Sequence, residues 1–297
     1  MMHVKKISVL TSLYNCESFL PGYFKALAAI EGKEQIEVLL LHNAPSDSEL
    51  NIVNKYLPSM DFVRHIVIPE REGLYTTWNR GISLSEGEYI TVWNVDDVRF
   101  PAGIIQQAEM LDKHSEAALA YGDIWLSDSY GICGSIRTNV PLSNEKKFFF
   151  KSYGISCFQM WRRSIHETIG YYDEQFKCSA DFDFQIRVAL HFPMVKTPDI
   201  LGISLENQPH KLSANGLQEL ENNIVYLRYG SFGRINLFTL RRSLKIYHKT
   251  TLFHYGKQIT FDETSPFGRS YRIMGWISSL FFSLILVSKR CIKKIIR

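Results

Sequence analysis

The residues best suited to chemistry are an amide and two carboxylates in one short stretch, Asn94, Asp96 and Asp97. They follow residues 89–93, whose apolar, β-forming side chains predict a strand buried on both faces. In open α/β sheets, ligands bind at the carboxyl ends of the strands. Adjacent carboxylates repel each other unless a cation or hydrogen-bond donors compensate their charge. The stretch therefore predicts a site for a divalent metal that carries phosphate oxygens.

A purely structural interpretation of the two acids is that they cap the helix that follows. Pro101 suits a first helical position, and apolar residues continue at helical spacing through 104–111. Before the strand, residues 74–85 also have helical spacing, and we expect Gly87 to supply the left-handed turn that ends that helix. The local order is therefore helix, turn, strand, acidic turn and helix, whichever role the acids have.

The elements around this stretch alternate between strand and helix over the first 125 residues. This alternation predicts right-handed βαβ units and a parallel sheet. The glycines and short β-prone pieces of 125–150 predict a hairpin, and residues 181–190 and 215–229 predict two later helices separated by a strand within 191–205. Strands are predicted at 7–10, 36–41, 62–68, 89–93 and 117–124, and helices at 19–30, 49–57, 74–85 and 101–114.

The composition limits the class of protein. With 297 residues and 45% hydrophobic content, the chain can form one large domain with an appendage, or two domains. Its five cysteines are scattered and form no CxxC pair, which argues against a disulfide framework or a zinc knuckle and fits a reducing compartment. No pattern typical of a signal peptide follows the first residues.

The charge is distributed unevenly along the chain. Residues 1–230 hold 21 basic and 28 acidic side chains, a net of −7, whereas residues 231–297 hold 13 and 2, a net of +11. A mildly acidic body is not typical of an enzyme that binds nucleic acid through a basic face. We therefore divide the chain into a body, 1–230, and a basic tail, 231–297, that is expected to meet an anionic membrane or partner.

Several short motifs occur in a fixed order along the body. The first group comprises residues 7–15, 39–47, 73–82, 85–90 and 94–97, and the second comprises 160–166, 169–174 and 180–187. In this order they resemble a family-2 glycosyltransferase with the GT-A fold. The resemblance covers roughly residues 5–215 and implies an α/β fold with a Rossmann-like, mostly parallel sheet flanked by helices. It assigns 1–125 to the nucleotide-sugar half and 126–230 to the acceptor half.

The resemblance implies an inverting enzyme that moves a sugar from a nucleoside-diphosphate sugar to a hydroxyl of a glycan or a lipid-linked acceptor. Such an enzyme neutralises the leaving diphosphate and deprotonates the acceptor. Asp96 matches the second acid of the family's Asp-x-Asp motif and is expected to ligate Mg²⁺ or Mn²⁺. Asn94 replaces the first acid, so a lower metal affinity is expected. Asp181 matches the general base, although Ala180 stands where the family often has Glu.

The other site residues are also assigned by resemblance. Tyr14 and Asn43 match positions that hold the nucleotide base, with Asn43 where the family usually has Asp. Their structural alternatives are an ordinary half-buried tyrosine and a turn former, and for Asp181 a helix acid without a catalytic role. Ser12, Asn15 and Asn79 are expected at the sugar donor. His210 is expected at the diphosphate and its metal, with a solvated loop histidine as the alternative. Trp161 and Arg162 are expected at the acceptor, although Trp161 is equally a core residue.

Two functions other than sugar transfer are alternatives. The substitutions Asn43, Asn94 and Ala180 are compatible with a catalytically weak protein of the same fold that only binds sugar nucleotides. Nucleotidyl transfer ranks last, because it needs an early phosphate loop rich in glycine and arginine, and residues 11–17 contain no glycine.

The tail contains one uncharged segment, residues 273–288, flanked by basic residues. As a helix it would span about 24 Å, short of the ~30 Å hydrocarbon core of a bilayer. We favour an anchor at the membrane surface, over a helix buried against the body or a true span. This interpretation places the protein in the cytoplasm, at the cytoplasmic face of the membrane.

Overall fold

The computed structural model describes residues 6–137, 149, 153–155, 157–206, 216–254 and 257–260. Within these residues the chain forms two compact units. The first contains residues 6–172 and 184–206, and the second contains 173–183 and 216–260, each with the gaps just given. His210 and the segment 273–288 lie outside the described residues.

The first unit is built on one mixed sheet. Its strands are β1 Ile7–Leu13, β2 Ile36–Asn43, β3 Val63–Ile68, β4 Tyr89–Val92, β5 Val98–Arg99, β6 Leu119–Ser127, β7 Ser135–Arg137, β8 Met160–Arg162 and β9 Met194–Leu205. Their order in the sheet is β3-β2-β1-β4-β8-β6-β9-β5, with β7 paired to β6. The strands β1 to β4 and the pair β6–β9 are parallel.

The helices alternate with these strands. In the first part of the chain they are α1 Leu20–Ala29, α2 Asp47–Tyr56, α3 Leu74–Leu84 and α4 Gly103–Lys113. Later come α5 His166–Ile169, α6 Ala180–His191, α7 Leu217–Arg228 and α8 Leu237–Ile246. The order confirms the predicted α/β fold class, with each predicted strand and helix of the first 125 residues present.

The hydrophobic core of the first unit explains why these segments form strands. Every residue of β2 is buried, as a strand covered on both faces requires. Buried side chains of β1, β2, α1 and α4 form one continuous cluster. Three of its members are Val9, Phe24 and Leu111, which are fully buried.

One pairing in the sheet was not predicted, and one predicted pairing is confirmed. The short strand β8 pairs antiparallel with both β4 and β6, and so joins the parallel strands of the nucleotide-sugar half to the rest of the sheet. The predicted hairpin is present as β6 and β7, which pair antiparallel.

The expectation that Gly87 ends α3 in a left-handed conformation is wrong. Gly87 is not among the described residues with a positive φ, and α3 ends at Leu84 with Ser85 extended. A glycine is needed there for close approach, because a Cβ atom would lie 2.7 Å from the backbone nitrogen of Ser8.

The second unit contains α7, α8 and a two-stranded antiparallel sheet, β10 Thr251–His254 with β11 Lys257–Thr260. A buried ion cluster lies at its centre, where Arg228 contacts Asp173 at 2.8 Å and Asp183 at 3.0 Å. All three side chains are buried, and the two carboxylates compensate the guanidinium charge.

Candidate active site

The candidate site lies at the carboxyl edge of the parallel strands β1, β2 and β4. Because β1 pairs in parallel with both neighbours, the three strands end at the same edge of the sheet. Tyr14 follows β1, Asn43 ends β2, and residues 94–97 follow β4. The first unit thus brings together the predicted donor residues of three separate motifs.

Hydrogen bonds within the turn fix the acidic stretch after β4. The amide N–H of Asp97 donates to the carbonyl of Asn94 at 3.0 Å, and the buried indole of Trp93 donates to the carbonyl of Asp97 at 3.0 Å. The carboxamide of Asn94 donates to Asp97 Oδ2 at 3.3 Å. Asn94, which replaces an acid, therefore stabilises a neighbouring carboxylate.

The two acids have different surroundings. Asp96 is partly exposed, whereas Asp97 is buried and accepts a hydrogen bond from the backbone N–H of Leu205 in β9 at 3.2 Å. Burial, and then the charge of Asp96, raise the pKa of Asp97 to about 7. The helix-cap interpretation of these acids is wrong, because the N-cap of α4 is Ala102 and no side chain caps it.

Arg99 lies fully buried below the acidic turn. It donates to Gln107 Oε1 at 2.9 Å and to the carbonyl of Val92 at 2.8 Å, and it also contacts the hydroxyl of Thr91. Burial lowers the pKa of Arg99 to about 10, so it remains charged at neutral pH. The charge of Asp97 partly opposes this lowering, so the guanidinium and the acidic turn interact electrostatically.

The oxygen atoms of the acidic turn suit a hard divalent cation as ligands. The carboxylate oxygens of Asp96 are hard ligands, and burial beside Asp96 disfavours the second negative charge on Asp97, so an added cation would lower that cost. Among the described residues no group of three or more His, Cys, Asp or Glu side chains could hold a metal alone.

Tyr14 presents an aromatic ring at this edge and is 41% exposed. The guanidinium carbon of Arg71 lies 4.0 Å from the centre of the ring, in cation–π contact. Asn15, the next residue, has a φ of 50°, a left-handed conformation that asparagine tolerates. Sequence reasoning missed Arg71, because it lies in a loop with no periodicity and is brought to Tyr14 only by the fold.

Asn43 and Asn79 each hold a distant peptide group with both ends of the carboxamide. Asn43 donates to the carbonyl of Glu72 at 2.8 Å and accepts from its N–H at 2.9 Å. Asn79 makes the same pair of bonds with Tyr172, both at 2.9 Å. Both asparagines are buried. The structure thus shows Asn43 supporting the loop before α3.

The loop after β1 is held by a second residue that the sequence did not reveal, Glu49 of α2. Its Oε1 accepts from the backbone N–H of Cys16 at 2.8 Å, and its Oε2 accepts from the N–H of Ser46 at 3.1 Å. Burial raises the pKa of Glu49, but these hydrogen bonds outweigh it and lower the pKa overall. The carboxylate therefore stays charged and joins the loop to α2.

The two predicted acceptor residues, Trp161 and Arg162, make hydrogen bonds within the protein. Trp161 is fully buried, and its indole N–H donates to His166 Nε2 at 2.9 Å. The guanidinium of Arg162 donates to the carbonyls of Ala117 at 2.9 Å and Leu111 at 2.6 Å. Both side chains are held by core contacts, so neither enters the proposal below. Ser12, the other predicted donor residue, is partly buried in β1.

Asp181 lies in the first turn of α6, which confirms the predicted helix. It is partly buried, and its Oδ1 accepts from the N–H of Phe182 at 2.8 Å. The loop before it is held by Glu221, which accepts from the N–H groups of Lys177 at 2.8 Å and Cys178 at 2.7 Å. These contacts all belong to the second unit.

No helix among the described residues is long and apolar enough to cross a membrane.

The chain is similar to glycosyltransferases of other organisms at low identity. The chain is 24% identical over 189 residues to a PGL/p-HBAD biosynthesis glycosyltransferase of Mycobacterium bovis, covering 63% of this chain and 70% of the relative. It is 27% identical over 138 residues to the putative glycosyltransferase EpsE of Bacillus subtilis, covering 46% and 49%.

Solved structures share the fold. Residues 1–349 of S. aureus TarS in complex with UDP-GlcNAc match with a TM-score of 0.61 and 18% identity, covering 81% of this chain and 77% of that one. The mannosyltransferase PcManGT of Pyrobaculum calidifontis, in complex with GDP-Man and Mn²⁺, matches with a TM-score of 0.55 and 10% identity, covering 77% and 64%.

The sequence profile described as glycosyl transferase family 2 matches residues 8–170, more than half of the chain. This span contains the acidic turn, Tyr14, Asn43 and Asn79. The chain therefore belongs to glycosyl transferase family 2 and is a glycosyltransferase with the GT-A fold.

Proposed function

We propose that the protein transfers a sugar from a nucleoside-diphosphate sugar to a hydroxyl of a glycan or lipid-linked acceptor, with inversion at the anomeric carbon. The observation that carries the proposal is the convergence of Tyr14, Arg71 and the acidic turn 94–97 at one edge of the sheet. An aromatic ring suits a nucleotide base, and the acidic turn suits a metal–diphosphate group.

In this proposal the donor lies along that edge. Its base stacks on Tyr14, and its diphosphate faces Asp96, with Ser12 and Asn15 beside it. Asn43 and Asn79 act on the donor by supporting backbone that surrounds it. The binding of UDP-GlcNAc by TarS and of GDP-Man by PcManGT supports a sugar nucleotide without selecting the base.

Asp96 is the proposed ligand of Mg²⁺ or Mn²⁺, together with His210. Such an ion, when bound, supplies positive charge that stabilises the diphosphate leaving group. Mn²⁺ in the complex of PcManGT supports this assignment. Asp97 stabilises the turn from behind through Asn94 and Leu205, and Arg99 adds a fixed positive charge below it.

Asp181 is the proposed general base. Its role is to accept the proton of the acceptor hydroxyl as that oxygen attacks the anomeric carbon. Two acids in the first turn, Asp181 and Asp183, lie where the helix dipole favours negative charge. Asp183 is excluded as the base, because it is buried and paired with Arg228 at 3.0 Å.

Donor turnover with Mn²⁺ tests the assignment of the base. We expect Asp181→Ala to lower kcat by about 10²–10⁴-fold with little change in the KM for the donor. Asp199→Ala, at an exposed acid in β9, is the matched control and should turn over at the wild-type rate. Equal turnover by wild type and Asp181→Ala would favour a protein that binds sugar nucleotides without efficient transfer.

We also propose peripheral contact with an anionic membrane through the basic tail, with 273–288 as the anchor. The support is the net charge of +11 over 231–297. We expect the full chain to pellet with anionic vesicles and a 1–265 truncation to pellet less. Equal partitioning of the two proteins would contradict the anchor.

A further inference from the structure

Residues 231–260 form an unusually basic segment of the second unit. They contain six lysine or arginine residues and no aspartate or glutamate. The helix α8 lies in the middle of this segment and carries three of the six cations. The two faces of α8 differ in what they contact.

The inner face of α8 is fixed against α7. Leu240 and Ser243 are fully buried, and Leu240 packs with Leu227 of α7. Asn223 of α7 donates to the hydroxyls of Thr239 at 2.9 Å and Ser243 at 3.3 Å. These contacts set the rotation of α8 about its axis.

The opposite face of α8 is exposed. Phe238, Arg241, Arg242 and Lys245 are spaced i, i+3, i+4 and i+7, which places them on one side of a helix. All four are exposed, and Phe238 is 73% exposed. Ile246, beside them at the end of the helix, is 50% exposed. We name these five residues the α8 outer face.

The chemistry of the α8 outer face is that of a helix lying in a membrane interface. Such helices combine a large apolar side chain, which enters the boundary between headgroups and acyl chains, with lysine and arginine that contact lipid phosphates. An acidic protein surface would satisfy the cations but would leave the phenyl ring of Phe238 without an apolar environment. The presence of both kinds of side chain favours lipid.

We propose that the α8 outer face binds anionic lipid headgroups, with Phe238 inserted at the interface and Arg241, Arg242 and Lys245 on the phosphates. This inference rests on the membrane contact proposed above and assigns part of it to a described surface outside 273–288. It does not depend on the chemistry of sugar transfer.

The test measures binding of the full chain to vesicles of phosphatidylcholine with 30% phosphatidylglycerol, an amount chosen as a roughly physiological anionic content. We expect the variant Arg241→Gln with Arg242→Gln to bind about 25-fold more weakly, from about fivefold for each cation near an anionic surface. Phe238→Ser should also weaken binding. Wild-type binding should weaken as salt increases.

Matched variants separate this surface from net charge and from general hydrophobicity. Lys25→Gln with Lys113→Gln removes two exposed cations from the first unit, and Val67→Ser removes an exposed apolar side chain there. Both control variants should bind like wild type. Far-UV circular dichroism and donor turnover establish that each variant is folded.

Equal binding by wild type and the α8 double variant would overturn the inference while leaving the tail anchor and sugar transfer untouched. Loss of self-association in the double variant by analytical ultracentrifugation, with vesicle binding unchanged, would also overturn it in favour of a protein partner. Selective loss of vesicle binding by both α8 variants supports it.

Discussion

At the scale of single residues, the candidate site depends on neutral amides that hold backbone in place. Asn43 bonds both groups of the Glu72 peptide and also donates to the hydroxyl of Thr77 at 3.1 Å. The family's usual Asp at this position has no N–H to donate. Its carboxylate would face the carbonyl oxygen of Glu72 in a buried position.

Asn43→Asp should therefore destabilise the protein despite its resemblance to the family pattern. We expect a loss of about 1–3 kcal/mol in the free energy of unfolding, because a buried carbonyl and a hydroxyl lose their donor. Urea denaturation at pH 7 measures it. An unchanged or higher free energy would mean that the carboxamide of Asn43 does not support the loop before α3.

His166 gives a prediction about pH. Its Nε2 accepts from Trp161 at 2.9 Å and its Nδ1 bonds the carbonyl of Gly170 at 2.9 Å, so the folded protein holds the neutral ring. Burial lowers the pKa of His166 from 6.5 to about 4. Because the unfolded chain binds this proton more readily, the stabilisation is present above pH 6.5 and is lost as the pH falls towards 4.

Acidification from pH 7.5 to 4.5 should lower the contribution of His166 to the free energy of unfolding by about 2–3 kcal/mol. Urea denaturation of wild type and His166→Gln at both pH values isolates this contribution. The variant should lose less stability on acidification. Parallel losses in the two proteins would show that His166 takes up its proton without unfolding.

At the scale of elements, Glu221 of α7 holds the loop that leads into α6. Its carboxylate is fully buried and accepts from two consecutive backbone N–H groups and from the hydroxyl of Tyr247 at 3.0 Å. Such charge-assisted bonds are stronger than neutral ones. The first turn of α6, with Asp181, thus begins from a fixed position in the second unit.

Glu221→Gln should lower the free energy of unfolding by about 2–3 kcal/mol. One carboxylate oxygen becomes an NH2 group, which cannot accept a hydrogen bond from the backbone N–H or hydroxyl that faces it. We also expect a lower kcat, since the segment that carries the proposed base loses its support. Glu219→Gln, on the same helix but exposed, keeps an acceptor oxygen for Asn236 and Thr239 and should change stability by less than about 0.5 kcal/mol. Similar losses in both variants would contradict the role of Glu221.

The elements also show what local sequence signals can and cannot reveal. Alternating strands and helices predicted β1–β4 and α1–α4, because apolar periodicity depends on burial within each element. The antiparallel insertion of β8 depends on pairing between residues far apart in the chain, such as Ile90 with Trp161. The same limit explains why Arg71 and Glu49 were missed, since they contact Tyr14 and Cys16, which lie far from them in the chain.

For the site, motifs suggested the acidic turn and Asp181 as candidates, and the structure shows Asp96 and Asp97 after a buried strand and Asp181 in the first turn of α6. Motif matching did not distinguish side chains whose polar atoms are available to a ligand from side chains whose polar atoms are hydrogen-bonded within the protein. Trp161 and Arg162 fit the motif of an acceptor half, yet their polar groups bond to His166 and to backbone carbonyls. Only the coordinates show which groups a side chain bonds to.

At the scale of the whole molecule, donor binding should stabilise the folded chain. A ligand that binds only the folded state at 100 times its Kd adds about 2.7 kcal/mol. We expect a nucleoside diphosphate with Mn²⁺ to raise Tm in a thermal-shift screen, and to raise it less without the metal. Asp96→Asn should remove the difference made by the metal, and a metal effect that survives in this variant would place the ion elsewhere.

The paired amides of Asn43 and Asn79 have a further consequence. Neither carboxamide gains or loses a proton near neutral pH, whereas burial and the charge of Asp96 raise the pKa of Asp97, in the turn after β4, to about 7. A change of pH around 7 therefore alters the charge of the acidic turn, while the hydrogen bonds of the two asparagines stay unchanged. We therefore expect the pH–activity curve to change reversibly near pH 7, because ionisation of Asp97 leaves the hydrogen bonds of these two asparagines in place.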